Sequence, residues 1–449
     1  MNRSGTRSGS TRRGRRLPLV GALLAASVVA SAVPQSAYAL PARTITVNAN
    51  TVLGTATFRE QGFLHTINST TDHATVAALS PKFWRINSDT RYDLAKSYGA
   101  KVVWVVSDSC DPNAIIFVGQ AAWDNCVVNL ATTHSPTSAR PVDYWDLWNE
   151  PDHNGVWTSA QILTLLKAAH NDIRSVTSTA KIMGPGLAVY NDSGACNKID
   201  MKCFLDYAVA NSLKIDALSW HEIIDGAGAQ VLPTAIAGHI ASARALVAAR
   251  PTLLAPSPEY HVGEFTDSQN FTVPGWSVAW LKFLEDANVD GATLGCWDTS
   301  DTPGGTTYNG CVDGLNGLLQ SDEITTRSTY WVHKMYAGIG NQRVQTTTDN
   351  NDTVGYGGRN DSAKELTAMV GRWSVGTVNG PSTTTVKFNV PSSYALSSMH
   401  YTVYRIPNTF GAVTPTLFAS GVVSVTAGVA TLTIASMNDG DAYTFDLYP

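Results

Sequence analysis

The chain lacks most of the signatures that mark metal, dinucleotide, nucleic-acid or membrane proteins. No C-x-x-C or H-E-x-x-H spacing occurs in its 449 residues, so a zinc site has no support and no metal or other cofactor is expected. The first strand-to-helix turn reads GFLHTINST (62–70) and carries no G-x-G-x-x-G, which removes the dinucleotide fingerprint. Beyond Arg16 there is no basic cluster, a poor match to nucleic acid or an anionic membrane surface. Beyond residue 33 no apolar run is long enough to span a bilayer, so no membrane insertion is expected of the mature chain. There is no solenoid-period repeat and no long Pro/Ser linker.

What stands at the amino terminus has a different purpose. Residues 1–16 contain six arginines and no acid, the apolar run LPLVGALLAASVVASAV follows, and Ala37-Tyr38-Ala39 closes it with small residues. That order reads as a secretory signal peptide over 1–39, with a mature, extracellular chain beginning near Leu40. Arg12-Arg13 and Arg15-Arg16 leave both the Sec and the twin-arginine route open. Without those six arginines, 25 basic residues face 36 acidic ones, a formal charge of −11. All six cysteines, at 110, 126, 196, 203, 296 and 311, fall in the mature part. An even count in an exported chain suggests disulfides, and neighbours pair naturally as Cys110–Cys126, Cys196–Cys203 and Cys296–Cys311.

From residue 62 to 340 short apolar runs alternate with amphipathic stretches. The runs are GFLHTI (62–67), FWRI (83–86), KVVWVV (101–106), YWDLWN (144–149), KIMGPG (181–186), IDALSW (215–220), EYHVGEF (259–265) and GATLGCW (291–297). Helical spacing recurs in 159–176, 201–212, 233–250, 274–287 and 325–339. Eight strand–helix units imply parallel pairing with right-handed crossovers and match a (β/α)8 TIM barrel in number and length; an open doubly wound sheet is the alternative. Residues 341–449 change to short β-branched and aromatic runs between Asn, Gly, Ser and Pro clusters, as in a C-terminal antiparallel β-sandwich. The strand-like RTITVNAN, within 40–61, is placed to join that sandwich.

Active sites of such barrels lie at the carboxyl ends of the strands. Glu150 ends the fourth run, after Trp148-Asn149 and before Pro151, flanked by apolar residues that raise a carboxyl pKa. Glu264 ends the seventh, whose mouth faces the fourth across the barrel axis. Two carboxylates on opposite sides of a cleft suit glycosidic bond cleavage, one as acid/base and one as nucleophile. Glu222, Glu259, Asp267 and Asp298 compete for the second place. Glu259 begins its strand, and the sixth strand carrying Glu222 does not face the fourth as directly. Asp143 and Asp146 are read as supports of the barrel rather than catalytic groups, and Trp280 and Trp331 as core residues.

W-N-E-P at the fourth strand end with a second Glu at the seventh resembles clan A retaining glycoside hydrolases, most closely family 39. The likeness runs through WDLWNEPDHNGVW, KIMGPG, FLDYAVANSLKIDALSWHEI, HVGEF, GCWDTSD and GLLQSDEITTRSTYW. It implies Glu150 as acid/base, Glu264 as nucleophile, Asn149 on the sugar 2-hydroxyl and Arg85 fixing Glu264. It further implies His221 at the sixth strand end and Trp297 in the sugar platform. Trp148 and His65 are further candidates for sugar contact. The family's tyrosine two positions after the histidine is here Ile223. The implied substrate is an oligo- or polysaccharide containing pentoses, cleaved in the manner of a β-xylosidase or an arabinofuranosidase or arabinobiosidase. An endo-acting glucanase or mannanase of the clan and a non-catalytic carbohydrate-binding barrel are the alternatives.

Overall fold

The structure is a computed structural model that describes residues 40–110, 119–153, 155–224, 228–253, 257–267, 269–295, 314–374 and 380–449. The segment read as a signal peptide, Trp297, Asp298 and the Cys296–Cys311 pair lie outside the described residues.

The described residues form two closed sheets. The first contains β2 (Gly62–Leu64), β3 (Phe83–Ile86), β4 (Lys101–Val105), β5 (Tyr144–Asp146), β6 (Ile182–Leu187), β7 (Ala217–Glu222), β8 (Glu259–Phe265) and β9 (Gly291–Leu294). They are hydrogen-bonded in that order, all parallel, and β9 returns to β2, so the architecture is the (β/α)8 barrel. Each strand is buried nearly throughout, which is why these runs read as continuously apolar rather than alternating. The connecting helices bury one stripe each. Ser159–Val176 turns Ile162, Leu165, Leu166, Ala169 and Ile173 inward, and a Thr158/Gln161 capping box fixes its start.

The second sheet has nine strands: β1 (Arg43–Thr55), β10 (Gln342–Thr348), β11 (Thr353–Asn360), β12 (Glu365–Arg372), β13 (Ser382–Asn389), β14 (Ser398–Ile406), β15 (Thr416–Thr426), β16 (Val429–Met437) and β17 (Ala442–Tyr448). It closes in the order β1-β10-β11-β12-β17-β14-β15-β16-β13. All pairs are antiparallel except β1 with β13, so the amino-terminal strand completes a sheet otherwise built from the last hundred residues.

The two sheets share a third apolar cluster. Trp276, Val278 and Leu281 of helix Pro274–Asp286 and Val332 and Tyr336 of helix Ser328–Gly338 pack on Val354, Tyr356, Met369 and Trp373. The approach is close enough to demand glycine: a Cβ on Gly275 would lie 1.8 Å from the Arg372 carbonyl oxygen. Gly275 N–H also donates to the Gly440 carbonyl at 2.8 Å. The sandwich therefore braces the barrel from outside its wall and leaves the carboxyl ends of the strands to the site.

Candidate active site

Asp146 and Arg85 alternate with core residues on neighbouring parts of the barrel and turn their side chains inward, where neither can stay charged alone. Arg85 of β3 is 2% exposed. Each nitrogen of its guanidinium is engaged: Nε donates to Asp146 Oδ2 at 2.8 Å, one terminal nitrogen to Glu264 Oε1 at 3.0 Å and the other to Asn149 Oδ1 at 3.0 Å. One cation thus links the ends of the second, fourth and seventh barrel strands. Asn149, its oxygen occupied, keeps an amide nitrogen without a partner among the described residues. Its backbone N–H is held by Ser107 Oγ at 2.8 Å.

Glu150 stands beyond the end of β5 with φ +54°, a left-handed conformation uncommon outside glycine. Two features hold it there. Its N–H donates to the Gly186 carbonyl at 2.8 Å. Asp152, nearly buried, accepts from the backbone N–H groups of Ala188 at 2.7 Å and Val189 at 3.2 Å, tying this loop to the one after β6. Gly186 has φ +71° and faces the Trp148 carbonyl, which a Cβ would approach to 2.0 Å. Left-handed or glycine-demanding backbone thus clusters at Glu150 and the loop that holds it, as it often does at ligand sites.

His221, fully buried at the end of β7, lies between the two glutamates. Its Nδ1 is 3.0 Å from Glu150 Oε1 and its Nε2 3.9 Å from Glu264 Oε1. A carboxylate oxygen of each glutamate and a ring nitrogen of His221 all lie within 4.8 Å of one another. Carboxyl groups of retaining glycosidases stand about 5–5.5 Å apart and those of inverting enzymes about 6.5–9.5 Å, and this close approach is compatible with the first. The trio could in principle ligate a cation, but the Arg85 guanidinium already supplies positive charge to the same Glu264 oxygen.

The proton affinities are arranged unexpectedly. Burial pushes Glu264 up, against the lowering charges of His221 and Arg85, and its carboxyl stays above the ordinary value. Burial also raises Glu150, but the hydrogen bond and charge of His221, helped by His153 and Arg85, outweigh it and hold the group below its ordinary value. The apolar flanks therefore do not raise the Glu150 carboxyl as its sequence context suggests. Burial lowers His221, yet the two glutamates prevail and its pKa is raised. Both shifts favour the ion pair of Glu150 carboxylate and His221 imidazolium over the neutral pair.

Other expected contacts fall variously. His65 ends β2's turn with φ +48°, 7% exposed, its Nε2 3.6 Å from Asp108 and its Nδ1 buried without a partner. Trp148 is not at the mouth. It is 2% exposed and packs on Trp123 with ring centroids 5.6 Å apart, because the chain leaves the strand at Asp146 and turns the indole toward the helices. A buried ring cannot stack on a sugar, so that expectation is corrected. Glu222 is fully buried and accepts from Trp220 Nε1 at 2.6 Å, with His239 Nδ1 2.7 Å away, and Glu259 pairs with Lys181 at the far end of its strand. Asp267 binds the N–H groups of Gln269 and Asn270. Asp146 supports the barrel as expected, and beyond that it orients Arg85. Its one sequence signal is an acid inside a buried strand. Cys110–Cys126 and Cys196–Cys203 are both disulfide-bonded.

No protein-family profile matches the chain, and no curated protein sequence does. Solved structures do. A protein called N2152 from Neocallimastix frontalis superposes with TM-score 0.75 at 19% identity, over 91% of this chain and 100% of that one. The GH39 enzyme from Xanthomonas axonopodis pv. citri gives 0.61 at 13%, over 93% and 99%. A monomeric β-xylosidase from Caulobacter crescentus CB15 gives 0.60 at 13%, over 91% and 99%. The chain thus has the barrel-and-sandwich fold found among glycoside hydrolases, along its whole described length.

Proposed function

We propose that the chain is an exported retaining glycoside hydrolase acting on pentose-containing, plant-type glycans, with Glu264 as nucleophile and Glu150 as acid/base. The observation that carries this reading is the pair of carboxylates from opposite sides of the barrel mouth, with oxygens within 4.8 Å and a buried histidine between them, bonded to Glu150. Glu264 is fixed by Arg85 with its second oxygen left for the anomeric carbon. Its attack forms a glycosyl ester while Glu150 protonates the leaving oxygen, and Glu150, then a carboxylate, takes a proton from the water that hydrolyses the ester.

The low proton affinity of Glu150 in the free site fits this role. Its side chain is 34% exposed, and a bound sugar strips that water away. Desolvation favours the neutral pair, carboxylic acid with neutral imidazole, over the ion pair. Substrate entry therefore moves the shared proton from His221 to Glu150, where the leaving oxygen can take it. Asn149 is placed to donate to the sugar 2-hydroxyl, and His65 to meet another hydroxyl. The pentose preference is supported by the sequence likeness and by the xylosidase among the structural neighbours. Export is supported by the two disulfides and by the signal-peptide-like order of residues 1–39.

Hydrolysis of aryl β-xyloside, α-arabinofuranoside, β-glucoside and β-mannoside, and of the matching polysaccharides, tests the reading. Turnover of a pentoside lost in Glu150→Gln and Glu264→Gln supports it. Turnover confined to glucans or mannans points to the endo-acting relatives. Silence on every substrate leaves a carbohydrate-binding barrel.

A further inference from the structure

Beside the catalytic mouth, on the side of the second and third barrel strands, lies an open cavity of about 670 Å³. Its inner wall consists of residues directly beyond those that hold the nucleophile. Asn87 follows Arg85 by two positions, and Asp108 adjoins Ser107, which anchors Asn149. Asp108 belongs to both spaces: it lines the cavity, stands 3.6 Å from His65, and is near enough for its charge to act on Arg85 and Glu264. The outer wall is helix Gln120–Thr133, which presents Asn129 and Leu130. The Cys110–Cys126 disulfide staples that helix to the segment carrying Asp108, so the two walls keep their spacing.

We propose that this cavity is a second glycone subsite, taking a neutral sugar joined to the one held by Glu264, so that the enzyme prefers substrates with two sugars before the scissile bond. The inference rests on the hydrolase reading. The direction follows from the site: Glu150 leans on His221 of the sixth strand, which puts the leaving group on that side. The glycone then lies over Arg85 and His65, toward strands one to three. The lining fits a sugar rather than another ligand. Its volume is in the range of small-molecule pockets. It offers amide, hydroxyl and carboxylate groups beside the apolar Leu130. No lysine or arginine lines it, and the nearest guanidinium to Asp89, that of Arg140, is already paired with Asp89 and Asp93. The two acids in the lining, Asp89 and Asp108, disfavour a negatively charged sugar, whereas hydroxyls can donate to both. Asn129 makes no side-chain hydrogen bond among the described residues and stands ready to bind.

Matched aryl substrates test this: 4-nitrophenyl β-xyloside against β-xylobioside, and β-glucoside against β-cellobioside. In the series that is turned over, kcat/KM for the disaccharide should exceed that for the monosaccharide by about tenfold or more, the worth of one or two hydrogen bonds to charged groups. Asn129→Trp, which fills the cavity from an exposed helix position, should collapse that ratio toward one, and Asn129→Ala should lower it part of the way. A wild-type ratio near or below one, or a ratio unmoved by both variants, overturns the subsite while leaving the hydrolase intact. No turnover in any series by the wild type overturns the hydrolase reading and the subsite with it.

Discussion

Glu60, between the two sheets, should make the protein less stable as pH rises. It is fully buried, with one oxygen lacking any partner. The Tyr336 hydroxyl is 2.7 Å from Glu60 Oε2 and 2.6 Å from Glu285 Oε1. A hydroxyl has one proton and cannot donate to both carboxylates, so one of them must donate to it. Glu285 has Arg343 at 3.2 Å as a counter-ion, and Glu60 has none so close. Burial and the charge of Glu285 push the Glu60 carboxyl well above the usual range. The folded state thus keeps a proton that the unfolded chain loses above pH of about 4.3. A raised carboxyl stabilises fully below the unfolded value, and that contribution disappears as pH climbs through the folded pKa. Across this window stability falls by up to about 1.4 kcal/mol per pH unit. Glu60→Gln keeps the neutral group's shape and can still donate to Tyr336, but has nothing to titrate. The variant should match wild type near pH 4.5 and become the more stable by up to about 2.7 kcal/mol between pH 5 and 7. Urea unfolding at pH 4.5, 5, 6 and 7 measures the difference. A gap that stays constant with pH, or a variant less stable than wild type at pH 7, would refute the neutral Glu60.

Three further variants probe the site. Arg85→Met leaves Asp146 and Glu264 buried without their cation, and should cost about 3–5 kcal/mol of stability, seen as a fall in Tm. Because Arg85 lowers Glu264, the same variant should shift the acid limb of kcat/KM to higher pH, and an unmoved limb would detach Arg85 from the nucleophile. Gly186→Ala should lower kcat by at least about tenfold, since its Cβ must displace the Trp148 carbonyl and with it Glu150; wild-type kcat in the variant would show that the loop is not critical. His221→Asn should move the basic limb of the pH profile, which reports the proton shared with Glu150, and a profile unchanged at that limb would assign the histidine to packing alone.

Much of the barrel was legible because parallel strands buried on both faces leave short apolar runs, and all eight such runs overlap observed strands. Helix Ser159–Val176 was readable to the residue because its capping box and amphipathic stripe agree. Strand ends also drew attention to Glu150, Glu264 and Arg85, since a charged residue near the end of an apolar run needs a partner, and the structure brings the three together around Arg85 and His221. What the sequence concealed depended on direction and on partners far along the chain. Trp148 adjoins two site residues, but leaving the ladder at Asp146 sends its ring into the helical layer. The apolar neighbours of Glu150 suggested a raised carboxyl, whereas a histidine 71 residues away reverses the shift. Asp146 gains its purpose only beside Arg85, and the Glu60–Tyr336–Glu285 group assembles from residues separated by up to 276 positions.

The central claim concerns which glutamate bonds to the sugar, and azide rescue reads it directly. Glu264→Ala and Glu150→Ala are each incubated with an activated aryl glycoside and sodium azide, and the glycosyl azide is analysed by proton NMR. With Glu264 as nucleophile, its alanine variant admits azide from the face opposite the leaving group and gives an azide of inverted configuration. The Glu150 variant still forms the glycosyl-enzyme and gives one of retained configuration. The reverse pattern, or wild-type hydrolysis by Glu264→Ala with no azide adduct, would contradict the account.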